Sequence, residues 1–274
     1  MEHAPTPGEQ EFKRARHRSP ETPEMRALEL RVMVGIERAV EQRRMLDREA
    51  LMAATELLIL RHPDKDFPRL HEMLATGEIR NERARRDYLP IYLDPEVSAI
   101  DTELIDRIGT AIINIEAPFN GRPPQLPPGG HLRLADVLWE TTVGEGQDAL
   151  EVWVRGDLPQ EAINRLPVKF SRYLETYGDA FRALLSLPDV DASNGDDAIE
   201  TFENTYIGSY RLDREHVLEE VAELIEMRNE IEAIAEKYGL GETITIDLDL
   251  AWDIVTEHMF DIVEYGNDYH VFGK

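Results

Sequence analysis

His258 sits beside Glu257 and three residues before Asp261, with His270 near the end of the chain. His216 precedes Glu219 and Glu220 at helical spacing. Imidazole plus carboxylate is an acceptable ligand set for zinc or manganese. With 55 Asp and Glu among 274 residues, however, such neighbours arise from composition alone. Neither group is read as a metal centre. No Gly-rich loop with a following Lys and Ser/Thr opens a helix, and no G-x-G-x-x-G follows a strand, so phosphate-cradling chemistry has no motif to rest on. The chain has no cysteine, which removes disulfides, thiol nucleophiles and thiolate metal sites. The expectation is a protein without catalytic residues, metal or cofactor, and not an enzyme.

Charge is the informative quantity. Residues 1–92 carry 17 Lys/Arg and 17 Asp/Glu, so the whole formal charge of −25 lies in the remaining two-thirds. Within residues 173–274 there are 6 basic against 25 acidic side chains. Halophilic adaptation would spread acid evenly, and the neutral first third argues against it. A field of this sign repels nucleic acid and attracts basic surfaces, DNA-binding clefts among them.

The acid is concentrated on one predicted helix. Asp213 stands where an N-cap belongs and Gly239 where a helix stops. Between them Val217, Val221, Leu224, Ile225, Ile231 and Ile234 recur at three- and four-residue steps and make one apolar face. The other face carries Glu215, Glu219, Glu223, Glu226 and Glu230, with Glu220, Glu232 and Glu236 beside them and only Arg228 and Lys237 interleaved. Like charges at this spacing repel by a few tenths of a kcal/mol per pair. Such carboxylates climb roughly 4.5–6 Å per step along a helix, and a DNA strand presents a phosphate every ~3.4 Å of axis. The face therefore has the charge density to imitate a nucleic acid, or it is simply a solvated acidic face.

Phe202, Glu203, Tyr206, Gly208 and Tyr210, then the acidic helix, then Ile246-Asp247 opening another helix and the ending Tyr269-His270-Val271-Phe272, resemble the C-terminal half of ArdA-type antirestriction proteins. The run from Tyr173 to Phe181 is similar to the preceding helix of that family. The resemblance covers roughly residues 158–274 and leaves the first ~150 residues without a counterpart. It implies an acidic, elongated, homodimeric DNA mimic that occupies the DNA-binding site of type I restriction–modification enzymes, in a bacterial cytoplasm. Glu200, Glu203 and Asp213 would join the glutamates named above, Glu215 to Glu236, as phosphate surrogates. Phe202, Tyr206, Gly208 and Tyr210 would be structural, Gly208 marking a tight turn that lets two tyrosines pack. Trp252, Val255, Met259 and Phe260 are the candidate dimer seam, or else plain core.

The elements that would position these residues give an α+β, helix-rich chain: an elongated, multi-domain arrangement of an N-terminal helical module and a C-terminal small sheet packed with acidic helices. Residues 1–23 are polar and Pro-rich, with the basic run Lys13 to Arg18, and read as a disordered tail. Residues 24–92 form a charge-neutral helical module. Its first amphipathic stretch includes Leu28, Leu30, Val32, Ile36, Val40 and Met45, and Asp47 caps a second through Leu60. Arg43, Arg44 and Arg48 would pair with Glu37, Glu41 and Glu49. A short helix near Phe67–Ala75 stops at Gly77, and residues 78–90 form a basic hinge before Pro90 and Pro95.

Residues 93–157 read as a small α+β unit, with strands at Thr110–Ile115 and Leu150–Val154, a Pro/Gly tongue from Pro118 to Gly130, and Trp139 and Trp153 in the core. His131–Glu140 fits helix or strand. Helices are predicted at Pro159–Asn164 and Val168–Ser186, a linker at Asp189–Asp197, a strand at Thr243–Ile246, a helix at 248–262 capped by Asp247, and a last strand at Tyr269–Phe272.

No apolar run reaches the ~18 residues of a membrane span, and the start lacks a signal peptide's apolar core. Three functions remain open: the DNA mimic; an acidic phage or mobile-element accessory protein that docks a basic partner without imitating DNA; and, remotely, a metal-dependent hydrolase.

Overall fold

Helix caps set much of the local structure. A computed structural model of the protein describes residues 22–116, 126, 130–146, 149–211, 213–221, 224–240 and 247–274, the side chains of Glu82, Glu116 and residues 224–228 excepted. The expected tail, most of the Pro/Gly tongue, the strand at 243–246, Glu223 and the side chain of Glu226 lie outside the described residues. The protein is helix-rich α+β with small sheets, and it divides into two units, residues 1–140 with 154–160, and residues 141–153 with 161–274.

In the first unit, α1 (Pro23–Glu41) is capped by Thr22 and α2 (Arg48–Arg61) by Asp47, whose Oδ1 accepts the Ala50 amide at 3.0 Å. That hydrogen bond lowers the Asp47 pKa, with Arg38 and Arg44 assisting against partial burial. The ion pairs are Arg38–Asp47, Arg44–Asp47 and Arg31–Glu49, not the Arg43/Arg44/Arg48 set expected. Arg48 instead donates to the Gly77 carbonyl. The two helices pack closely at Gly35 and Ala50. Next, α3 (Pro68–Thr76) ends at Gly77, whose φ of 70° is the left-handed stop. Its N-terminus has no local side-chain cap. Asp87 supplies one from the following helix, accepting the Arg69 and Leu70 amides at 2.7 and 2.9 Å.

Two expectations fail here. Residues 78–90 are no hinge: α4 (Asn81–Tyr92) runs through Pro90. Pro90 lacks an amide and disfavours helix at Leu89, but Tyr88, Leu89 and Ile91 are all buried and their packing outweighs that cost. Thr110–Ile115 is no strand. It lies in α5 (Ala99–Glu116), where Leu104, Ile105, Ile108, Ala111 and Ile112 bury one helical face against α2 and α4. Because α5 packs into the helical module, the 93–157 segment does not stand apart. A 3₁₀ turn (Leu134–Asp136) leads into β1 (Leu138–Val143), which ladders with β2 (Leu150–Arg155). Trp139 and Trp153 are both core, as expected.

The second unit is built on a three-stranded antiparallel sheet in the order β3-β5-β4. A short helix α6 (Gln160–Ile163) precedes α7 (Leu166–Tyr177) and α8 (Asp179–Leu185). The latter two were expected as one helix; Gly178, at φ 52°, separates them. The expected linker 189–197 is pinned instead: Val190 and Ala192 are buried, Asp191 bridges to Trp153, and α9 (Gly195–Thr205) begins under an Asn194 cap.

Helix α9 passes directly into β3 (Tyr206–Tyr210), followed by α10 (Arg214–Val221), α11 (Leu224–Lys237), α12 (Leu248–His258), β4 (Phe260–Tyr265) and β5 (Asp268–Gly273). Asp247 caps α12, which ends at His258 so that residues 260–262 are strand, not helix. The β4–β5 hairpin closes over Gly266-Asn267, and Gly266 takes φ 65°, fitting the first central position of a II′ turn. In β5, His270, Val271 and Phe272 are all buried, because helices cover both faces of the strand. Phe272 faces the rings of α9, and Val271 pairs with Ile262 toward the Leu218–Val255 cluster of α10 and α12.

Candidate functional site

The motif residues converge on one ring cluster. Phe202, on the inner face of α9, stacks on Tyr206 at 4.7 Å and lies 4.8 Å from Tyr177 and 5.2 Å from Phe181. Tyr173 and Phe272 complete the shell at 6.3 Å each. The cluster ties α7, α8 and α9 to the sheet. Gly208 does not make a turn. It sits in β3 just past a bulge, and a Cβ there would come within 3.0 Å of the Tyr210 hydroxyl. The glycine gives Tyr210 room to fold over the strand.

From this frame the carboxylates project outward. Glu200 and Glu203 are exposed on α9, and Glu203 accepts the Tyr173 hydroxyl, which raises the tyrosine pKa. Asp213 caps α10, accepting the His216 amide at 3.2 Å and facing its Nδ1 at 2.9 Å. The side-chain hydrogen bond raises the His216 pKa and lowers that of Asp213. Glu220 is exposed, near enough to Tyr210 to help raise its pKa behind the larger effect of burial. Glu215 and Glu219 are half-buried. On α11, Glu230, Glu232 and Glu236 are exposed.

The acidic stretch is helical on both sides of residues 222 and 223, which lie outside the described residues. Asp213 and Gly239 terminate the stretch as expected, Gly239 at φ 72°. The apolar face is also narrower than its periodicity implied. Val217, Leu218 and Ala235 are buried, whereas Ile234 is 58% exposed.

The other expected groupings are settled by packing. Of the four seam candidates Val255 is buried, Trp252 and Phe260 are partly buried and pack against it, and Met259 is exposed. His270 does not join His258 and Asp261. It is buried in β5, with Nδ1 2.7 Å from Ser209 Oγ and Nε2 3.3 Å from the Tyr265 carbonyl. Lys274 pairs with Asp261 instead. Among the described residues no three His, Asp or Glu side chains converge on a point.

Nothing in the residue pattern marks a buried polar group in the first unit. Arg85, inside the stretch taken for an exposed basic hinge, is 2% exposed. It donates to the Leu158 carbonyl and stands 4.8 Å over the Trp139 ring. Burial pulls its pKa down to about 10, against the opposing influence of Tyr88 and Asp157. Nearby Asp106 accepts the Leu134 amide at 2.9 Å, and burial nonetheless raises its pKa. These groups are enclosed by their own unit and fasten α4 and α5 to the segments around residues 134 and 158.

Ion pairs answer some acids in each unit, as Lys169–Asp196, Arg211–Asp268 and Lys274–Asp261 do in the second. In the first, Glu29, Asp47, Glu49, Glu72, Glu78 and Glu103 each face an arginine. In the second, Glu200, Glu230, Glu232 and Glu236 have no ion pair among the described residues. Among the described residues no helix is long and apolar enough to cross a membrane. Comparison with known proteins returns no matching family model, no matching curated protein and no matching solved structure.

Proposed function

We propose that this protein is an antirestriction factor: a DNA mimic whose acidic unit occupies the DNA-binding cleft of a type I restriction–modification enzyme. The observation that carries the reading is the set of exposed, unanswered carboxylates on α9 and α11. Glu200 stands on α9, and Glu230, Glu232 and Glu236 stand on α11, all exposed and without an ion pair among the described residues. In the first unit Glu29, Asp47, Glu49, Glu72, Glu78 and Glu103 face arginines. Leaving such charges unpaired costs stability through self-repulsion, and a basic cleft recovers that cost on binding. The motif from Phe202 to Tyr210 and the ending Tyr269 to Phe272, which prompted the resemblance to ArdA-type proteins, are the residues that build the frame. No chemistry is assigned to the protein.

The test is inhibition of a purified type I restriction–modification enzyme, with unlabelled DNA as competitor and at two salt concentrations. Mimicry requires that DNA compete and that salt weaken inhibition. Glu230→Gln, Glu232→Gln and Glu236→Gln should each weaken inhibition roughly two- to threefold, and together about tenfold or more, since exposed ionic contacts are individually modest. Loss of all binding on one or two of these changes, with the others silent, would instead mark a docking protein with discrete anchors. Activity abolished by His258→Ala or His216→Ala would point to the hydrolase.

A further inference from the structure

Helix α1 of the first unit is apolar on two sides. Met25, Leu28, Val32, Gly35 and Ala39 are buried. The opposite side presents Leu30, Met33 and Val34, at 64%, 53% and 45% exposure. Leu30 and Val34 lie one turn apart and wall a shallow groove that runs toward Ala50 of α2. Exposed single apolar residues are ordinary; three together on one helix face, beside a groove, form an exposed apolar patch of the kind that marks contact surfaces.

The charges around this patch indicate what covers it. Arg26 lies on the N-terminal side of the patch, and Glu37 and Glu41 lie on the C-terminal side. Val32 is the midpoint of α1. Turning a second copy of the helix end for end about that midpoint sets Leu30 of one chain on Val34 of the other. It also brings Arg26 close to the other chain's Glu37, and each helix N-terminus close to the other's Glu41. Negative charge beside a helix N-terminus is favourable. A parallel arrangement would place Glu37 on Glu37. A two-fold interface must be complementary to itself, and the antiparallel arrangement meets that condition at both ends. The near balance of charge along α1 also suits a like chain better than a strongly acidic or basic ligand.

We infer that the exposed face of α1 is an isologous, antiparallel interface through which two copies of this chain associate. The surface belongs to the helical module of the first unit, whose residues 1–92 carry balanced charge, and not to residues 252–260, considered for that role from the sequence. Arg26 has an interaction within its own chain, so the apolar contact of Leu30 and Val34 carries the association and the charges fix its direction.

Sedimentation equilibrium of the full chain tests this. The wild-type protein should dimerise reversibly, and Leu30→Asp/Val34→Asp should raise the dimer Kd by tenfold or more. Because both side chains are exposed, melting temperature and far-UV circular dichroism should hold, which separates loss of association from misfolding. Arg26→Glu and Glu37→Arg should each weaken the dimer, and the double exchange should restore it. A monomeric wild type overturns the proposal, as does a dimer indifferent to the double aspartate variant. A monomer that dimerises only after removal of residues 1–21 would identify the chain's own N-terminal segment as the occupant, and equally overturns it.

Discussion

Phe202→Ala tests whether the ring cluster is what holds the acidic unit together. The side chain is 2% exposed and within 6.3 Å of five other rings. Losing its buried apolar surface costs roughly 2–3 kcal/mol. A void of about 100 Å³ that rigid aromatic neighbours cannot fill adds about 2 kcal/mol at ~24 cal/mol per Å³. The sum, ~4 kcal/mol, sits within the usual range for such truncations. Amide hydrogen exchange localises the effect. Since 1.4 kcal/mol is tenfold, amides of β3 and β5 that open with the cluster should exchange about a thousandfold faster. Phe202→Leu, which fills part of the void, should show about half the effect on a logarithmic scale. An acceleration below tenfold in the alanine variant would mean that the strands are held by something other than the rings, and the account of the motif would fail.

Two further outcomes follow from the local geometry. A Cβ on Gly35 would stand 2.3 Å from Ala50 Cβ, so Gly35→Ala should destabilise the first unit by about 1 kcal/mol or more in thermal unfolding. Overpacking costs ~1–3 kcal/mol and exceeds the ~1 kcal/mol gained in helix propensity. The exchange Gly35→Ala/Ala50→Gly should recover most of the loss, and no recovery would refute the steric explanation. The Asp213–His216 pair carries a pH signature. Its imidazole pKa is raised above 6.5, so that part of the cap is fully present below 6.5 and lost as pH rises through the raised value. Its carboxyl is lowered below 3.8, so that part is present above 3.8 and lost as pH falls through the lowered value. The cap is therefore complete between about pH 3.8 and 6.5. An NMR titration should place His216 above 6.5 and find it lower in Asp213→Asn; identical titrations in the two proteins would remove the carboxylate as the cause.

What the sequence determined by itself is what depends on neighbours within a turn or two. Asp47, Asp213 and Asp247 were legible as caps, and Gly77 and Gly239 as stops, because an Asp side chain satisfies a helix amide three residues on and glycine alone takes positive φ cheaply. The alternation of Leu150–Val154 and the strand at Tyr269–Phe272 were visible for the same reason. The charge asymmetry needed no fold at all.

Tertiary structure decided the rest. Thr110–Ile115 looks like a strand in a six-residue window, and only its packing with Leu104, Ile105 and Ile108 makes it helix. Pro90 stays inside α4 because its neighbours are buried. Nothing in the run Arg83-Ala84-Arg85-Arg86 distinguishes the buried arginine from the others; the carbonyl of Leu158, seventy-three residues away, selects it. Whether a side chain is core or surface depends on which distant element covers it, as Val255 under Leu218 and Leu30 beside an uncovered groove make plain. A local pattern can announce a helix face; it takes the fold to say what that face meets.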